Sequence, residues 1–146
     1  MIALVQRVTR ARVEVASVVV GRIDRGLLVF VCAEPQDTDV LAQRLVDKVL
    51  KLRIFADENG KMNRSVQDVG GGLLFVSQFT LAADVSGGNR PSFVGAAAPE
   101  PGRRLYELVL ETARGRHPQV AAGIFGADMQ VHLVNDGPVT IPIRMN

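Results

Sequence analysis

The chain has 146 residues, 47% hydrophobic and 22% charged, the balance of a folded domain and not of a disordered tail or a membrane bundle. With 17 Lys and Arg against 15 Asp and Glu, the formal charge is +2, which permits a polyanionic partner without arguing for one. One cysteine excludes a disulfide framework and a thiolate metal cluster.

The opening stretch, MIALVQRVTRARVEV, is broken by Arg7 too early for a signal peptide. No run approaches the ~20 apolar residues of a membrane span. The expectation is a soluble, cytoplasmic protein with no membrane contact, folded as one domain over residues 1–146. Val13 and Val15 alternate with Arg12 and Glu14, and Val18 to Val20 follow, so ARVEVASVVVGRI predicts a hairpin. Asp24-Arg25-Gly26 is a turn, and residues 27–33, LLVFVCA, predict a strand buried on both faces with Cys32 as a small apolar group.

The period then changes. Leu41, Leu45, Val49 and Leu52 recur three or four residues apart, predicting a helix within residues 36–55 capped by Asp37 or Thr38. Residues 56–63 form a turn-rich loop. GGGLLFVSQFTLAA predicts a strand ending near Ser77 to Thr80, and residues 84–92 another loop. Pro101 suits the first turn of a second helix whose inner face carries Leu105, Leu108, Val109 and Thr112. MQVHLV and VTIPI predict the last two strands, the second an edge or a bulge because Pro142 has no N–H for a ladder. Strands and two main helices in this order give a mixed α/β domain of the α+β kind.

Side-chain catalysts are scarce. His117 and His132 lack metal-ligand spacing with any other His, Cys or acid, so both are expected to be structural and no metal or cofactor is expected. The Gly run at 70–72 lacks the Lys-Ser/Thr of a phosphate loop. SQFT places Ser77, Gln78, Phe79 and Thr80 at a strand end, where sites are common. With no base beside Thr80, a site here would work by positioned backbone N–H groups and hydroxyls, and on spacing alone a polar strand end without function is the competing reading. Gly137-Pro138 separates the last two apolar runs. On the residues alone a trans turn is the expectation, although proline makes cis accessible at ~0.5–1 kcal/mol.

SQFTL (77–81) and NDGPVT (135–140), with QRV near the start, RIFADENGKMNRSV (53–66), GNRPSF (88–93) and FGADMQVHL (125–133), resemble segments of the D-aminoacyl-tRNA deacylase family in the right order along the whole chain. The resemblance implies a largely antiparallel mixed sheet, a homodimer, and no metal or organic cofactor. It implies hydrolysis of the ester joining a D-amino acid, or glycine mischarged on tRNA(Ala), to the terminal adenosine of tRNA, releasing free tRNA. It implies a cis Gly137-Pro138 peptide that enters the partner subunit's pocket and rejects L-aminoacyl esters, with Arg7 bracing its carbonyls. Ser77, Gln78, Phe79 and Thr80 take the catalytic position, with water or Thr80 as the two open choices of nucleophile. Phe125, Gly126 and Met129 take the adenosine, and Lys48, Lys51, Arg103, Arg104, Arg114 and Arg116 are candidate phosphate contacts. Val85 and Ala122 depart from the family pattern, which more often has hydroxyl residues there. Two other readings compete: a nucleic-acid-binding module of the same fold without hydrolysis, and a hydrolase of small esters or peptides.

Overall fold

A computed structural model describes residues Met1–Asn146. Its strands are β1 (Ile2–Val15), β2 (Val18–Ile23), β3 (Gly26–Cys32), β4 (Phe55–Ala56), β5 (Met62–Arg64), β6 (Gly72–Ser77), β7 (Val120–Ala122) and β8 (Gln130–Arg144). The helices are α1 (Asp39–Lys51) and α2 (Pro99–Arg116), and a 3-10 turn spans Phe79–Ala82. The main sheet runs β2-β1-β3-β6-β7, with β8 on the other edge of β1. The pairings of β1 with β2, β3 and β8 are antiparallel, and those of β6 with β3 and β7 are parallel. This is the mixed, largely antiparallel sheet with two main helices that the sequence and the resemblance together predict.

β1 organises the sheet. Its first half pairs with β3 and its second half with β2, while β8 follows it from Ile2 to Glu14. Alternation along the strands then sorts two cores. Val5, Leu27, Val29, Leu73 and Phe75 face α1 and α2, and Val8, Val13, Leu28, Leu74 and Val76 face the other way under Met129, Val131 and Leu133. β3 and β6 are buried on both faces, which explains their unbroken apolar runs. They approach closely at Gly26, where a Cβ would lie 2.0 Å from the Gly72 carbonyl oxygen, so only glycine fits.

The structure corrects some sequence expectations and narrows others. The last two runs are one strand, β8, not two, because both pair with β1. Thr38, not Asp37, caps α1: its Oγ1 accepts from the Leu41 N–H at 3.4 Å, while Asp37 accepts from the Met1 amino group and the Glu34 N–H. α1 ends at Lys51, and Phe55 leaves it to pair in β4. β6 stops at Ser77, and Phe79 and Thr80 already belong to the 3-10 turn. β8 is unpaired along its outer edge, as Pro142 requires. No helix is long and apolar enough to cross a membrane.

Candidate active site

Two places in the fold collect the residues singled out from the sequence. The first is a cavity of about 670 Å³ at the carboxyl end of β6. Ser77, Gln78 and Phe79 line one side of it, and Phe125, Gly126 and Met129 another. Its size falls within the usual range for small-molecule sites. Phe79 and Thr80 open the 3-10 turn, the position where backbone N–H groups have no partner within the helix. Thr80 is not among the lining residues; its Oγ1 accepts a hydrogen bond from Gln78 Nε2 at 2.6 Å. No imidazole or carboxylate bonds to that hydroxyl, so nothing is placed to take its proton.

Sequence reasoning missed other walls of this cavity. Phe93 meets Phe79 edge to face with centroids 5.1 Å apart, and Ala97 and Pro99 carry the entrance of α2 to the cavity. Asp128 is the one acid in the lining. The GNRPSF segment contained Phe93, but nothing local distinguished it from a core aromatic. Val85 and Ala122, the two departures from the family pattern, do not line the cavity.

Cys32 lies behind the same turn, its Sγ 3.5 Å from the Phe79 carbonyl oxygen. Burial and then the Glu34 carboxylate push its thiol up, away from the thiolate a nucleophile needs. Tyr106 supports the floor: its hydroxyl donates to the Phe75 carbonyl at 3.0 Å, and its ring lies 5.9 Å from that of Phe125. His117 is buried with Nε2 2.7 Å from the Gly71 carbonyl oxygen, a structural role, and His132 reaches Glu14 at 3.3 Å. No three His, Cys, Asp or Glu side chains converge as metal ligands would.

The second place is the middle of β8. Gln6 pairs with Thr140 and Val8 with Asn135, so Asp136, Gly137, Pro138 and Val139 all stand opposite the single residue Arg7. This wide bulge carries Gly137 and Pro138 out of the ladder. The Gly137-Pro138 bond is cis, as the resemblance implies and against the trans turn expected from the residues alone. Gly137 has φ +122°, a region open to glycine and rarely to other residues.

The bulge is tied at both ends. Arg7 Nε donates to the Asp136 carbonyl at 3.2 Å and Nη1 to the Ile54 carbonyl at 2.7 Å. Asn135 Nδ2 donates to the Arg7 carbonyl at 3.0 Å and the Val139 carbonyl at 3.1 Å. Arg7 therefore braces the carbonyl just before Gly137, not those of Gly137 and Pro138 themselves. Asn135, the second brace, was visible in NDGPVT but carried no local signal.

The chain that carries this cavity and this braced bulge matches known proteins along nearly its whole length. A family model described as D-Tyr-tRNA(Tyr) deacylase matches residues 4–144. The chain belongs to that family.

The relatives agree over nearly the whole length of this deacylase. It is 71% identical over 145 residues to the D-aminoacyl-tRNA deacylase of Aromatoleum aromaticum (strain DSM 19018 / LMG 30748 / EbN1), covering 99% of this chain and 95% of that protein. It is 69% identical to the D-aminoacyl-tRNA deacylase of Variovorax paradoxus (strain S110), with 99% of each chain covered. Among solved structures, the c-Myc DNA Unwinding Element Binding Protein superposes with TM-score 0.94 at 43% identity, over 100% of this chain and 99% of that one. A probable eukaryotic D-amino acid tRNA deacylase superposes with TM-score 0.81 at 20% identity over 97% of each chain, a likeness of fold. Family membership makes the chain a hydrolase of the D-aminoacyl-tRNA deacylase class.

Proposed function

We propose that the chain hydrolyses D-aminoacyl-tRNA, and glycyl-tRNA mischarged on tRNA(Ala), in the cytoplasm as a homodimer. The observation that carries the reading is the meeting of SQF and FGADM in one cavity. Phe125 and Met129 receive the terminal adenine, Phe125 by stacking, and the ester carbonyl then lies against the start of the 3-10 turn.

The backbone N–H groups of Phe79 and Thr80 stabilise the oxyanion that forms when water adds to the carbonyl carbon. The bond from that carbon to the ribose oxygen breaks, and the ribose oxygen takes the proton that water gives up. The adjacent ribose hydroxyl assists this transfer. Thr80 stands outside the cavity lining and is not the nucleophile on this reading, because the one side chain bonded to its hydroxyl, Gln78, is a donor and not a base.

Chiral choice comes from the Gly137-Pro138 main chain. Its carbonyls hold the substrate ammonium, so that a D side chain leaves the pocket and an L side chain collides with it. Glycine has no side chain to exclude. Gly137 and Pro138 are exposed and do not line the cavity of their own chain, which supports delivery into the partner's cavity.

Mixing two crippled subunits tests this. Gly137→Ala spoils the filter and Phe125→Ala spoils the adenosine pocket. A mixed dimer has one site with both parts intact if the filter crosses the interface. Recovered hydrolysis of D-Tyr-tRNA on mixing supports crossing, and no recovery from a mixture shown to form heterodimers refutes it.

A second reading has one observation behind it. The solved relative at 43% identity is named for binding a DNA unwinding element. On that reading this chain holds nucleic acid without hydrolysis, and purified protein would bind D-Tyr-tRNA and leave its ester intact.

A further inference from the structure

Phe125 carries a cation on its ring. The Arg103 guanidinium carbon sits 4.8 Å from the ring centroid. Its Nη2 also reaches Gly126, where a built Cβ would lie 4.0 Å away. Both Phe125 and Gly126 line the cavity, and Arg103 sits one turn into α2, whose first residue Pro99 lines it too. Arg103 is therefore at the cavity rim, exposed to solvent.

The other helix cations are occupied or remote. Arg104 pairs with Asp39 at 2.8 Å and Arg116 pairs with Asp47, so these two hold α2 to α1. Arg114 lies ~16 Å along the helix axis from Arg103, and Lys48 and Lys51 belong to the last turn of α1. Arg103 alone touches cavity residues, and it makes no ion pair of its own. Glu100 and Glu107 lie three and four residues away on α2 and stay unpaired with it.

A nucleoside whose base stacks on Phe125 must send its 5′ phosphodiester out over the rim. A guanidinium resting on an aromatic ring keeps its N–H groups free to bind phosphate oxygens in pairs. We propose that Arg103 binds the phosphodiester on the 5′ side of the terminal adenosine, so that it selects a nucleotide at the end of a strand over a free nucleoside. This inference rests on the adenosine reading of the cavity.

The test is an NMR titration of the intact protein with adenosine and with adenosine 5′-monophosphate. The wild type is expected to bind the monophosphate at least about fivefold more tightly, as one exposed charge-assisted contact provides. Arg103→Gln should remove that preference and leave adenosine affinity unchanged. Arg103→Lys should keep part of it, and Arg114→Gln all of it. With tRNA, Arg103→Gln should reduce the slope of log affinity against log salt by about 0.7.

Equal wild-type affinities for the two ligands would overturn the proposal while leaving the adenosine pocket standing. So would an Arg103→Gln change that weakens both ligands alike, since that is the effect of a residue that only steadies Phe125. Failure of both ligands to shift the Phe125 and Met129 resonances would overturn the adenosine reading and this inference with it.

Discussion

The guanidinium of Arg7 lies against Gly137, so close that a Cβ on the glycine would stand 3.0 Å from Nη2. The pair forms because β1 gives one residue to a stretch where β8 gives four. Arg7 holds the bulge by its first carbonyl and anchors it to Ile54, while Asn135 closes it across the base. Gly137 has no side chain to meet this brace, so the main chain can stand directly over it.

Gly137→Ala meets two obstacles at once. The methyl would press on Arg7 Nη2 and on Val139 Cγ2 at 3.1 Å, and φ +122° is strained for alanine by about 1–3 kcal/mol. Gly137 and Pro138 are exposed, so the strain should displace the tip of the bulge and leave the core intact. The expected outcome is a fall of at least tenfold in D-Tyr-tRNA hydrolysis with a melting temperature lowered by a few degrees at most, checked by single-turnover assay and calorimetry.

Arg7→Lys keeps the charge and loses the fork. One ammonium cannot replace Nε and Nη1 on two separate carbonyls, Asp136 and Ile54. Activity should fall about tenfold, and Arg7→Ala should fall further. A lysine variant with wild-type kcat/KM would show that the brace is dispensable.

Thr80→Ala should slow hydrolysis less than about tenfold, because the hydroxyl is bonded to a donor and lacks a base. Gln78→Ala should cost a similar amount. Complete loss in Thr80→Ala, with an acyl intermediate trapped in the wild type, would instead make Thr80 the nucleophile.

Acid stability should depend on Glu34. Burial raises its carboxyl, but hydrogen bonds from the Met1 amino group and Arg144 outweigh that and hold it below the ordinary value of 4.5. A carboxyl depressed in the fold contributes stability that is complete above its unfolded value and is lost as pH falls through the folded one. Urea midpoints should therefore decline as pH drops below about 4.5, and Glu34→Gln should flatten that decline while lowering stability at neutral pH.

The sequence showed what is local and hid what is distant. Thr38 could be seen as a possible cap because capping is a matter of a few residues, and SQFT was placed at a strand end because its apolar run stops there. Gly137-Pro138 was conspicuous, but its surroundings were not. The bulge exists only because residues 2–14 pair with residues 130–144, a contact between the two ends of the chain. For the same reason β7 escaped notice: Val120–Ala122 has three residues and gains its strand from β6. Phe93 stands in the GNRPSF segment and Pro99 at the start of α2, and only the packing of α2 beside the loop of Phe125 turns them into cavity walls.

The most direct measurement is matched hydrolysis of D-Tyr-tRNA and L-Tyr-tRNA by the purified wild-type protein. The account predicts rapid loss of the D ester with the L ester spared. Equal cleavage of both would leave a deacylase and remove the main-chain filter. Cleavage of neither by folded, dimeric protein that binds the tRNA would contradict the account altogether.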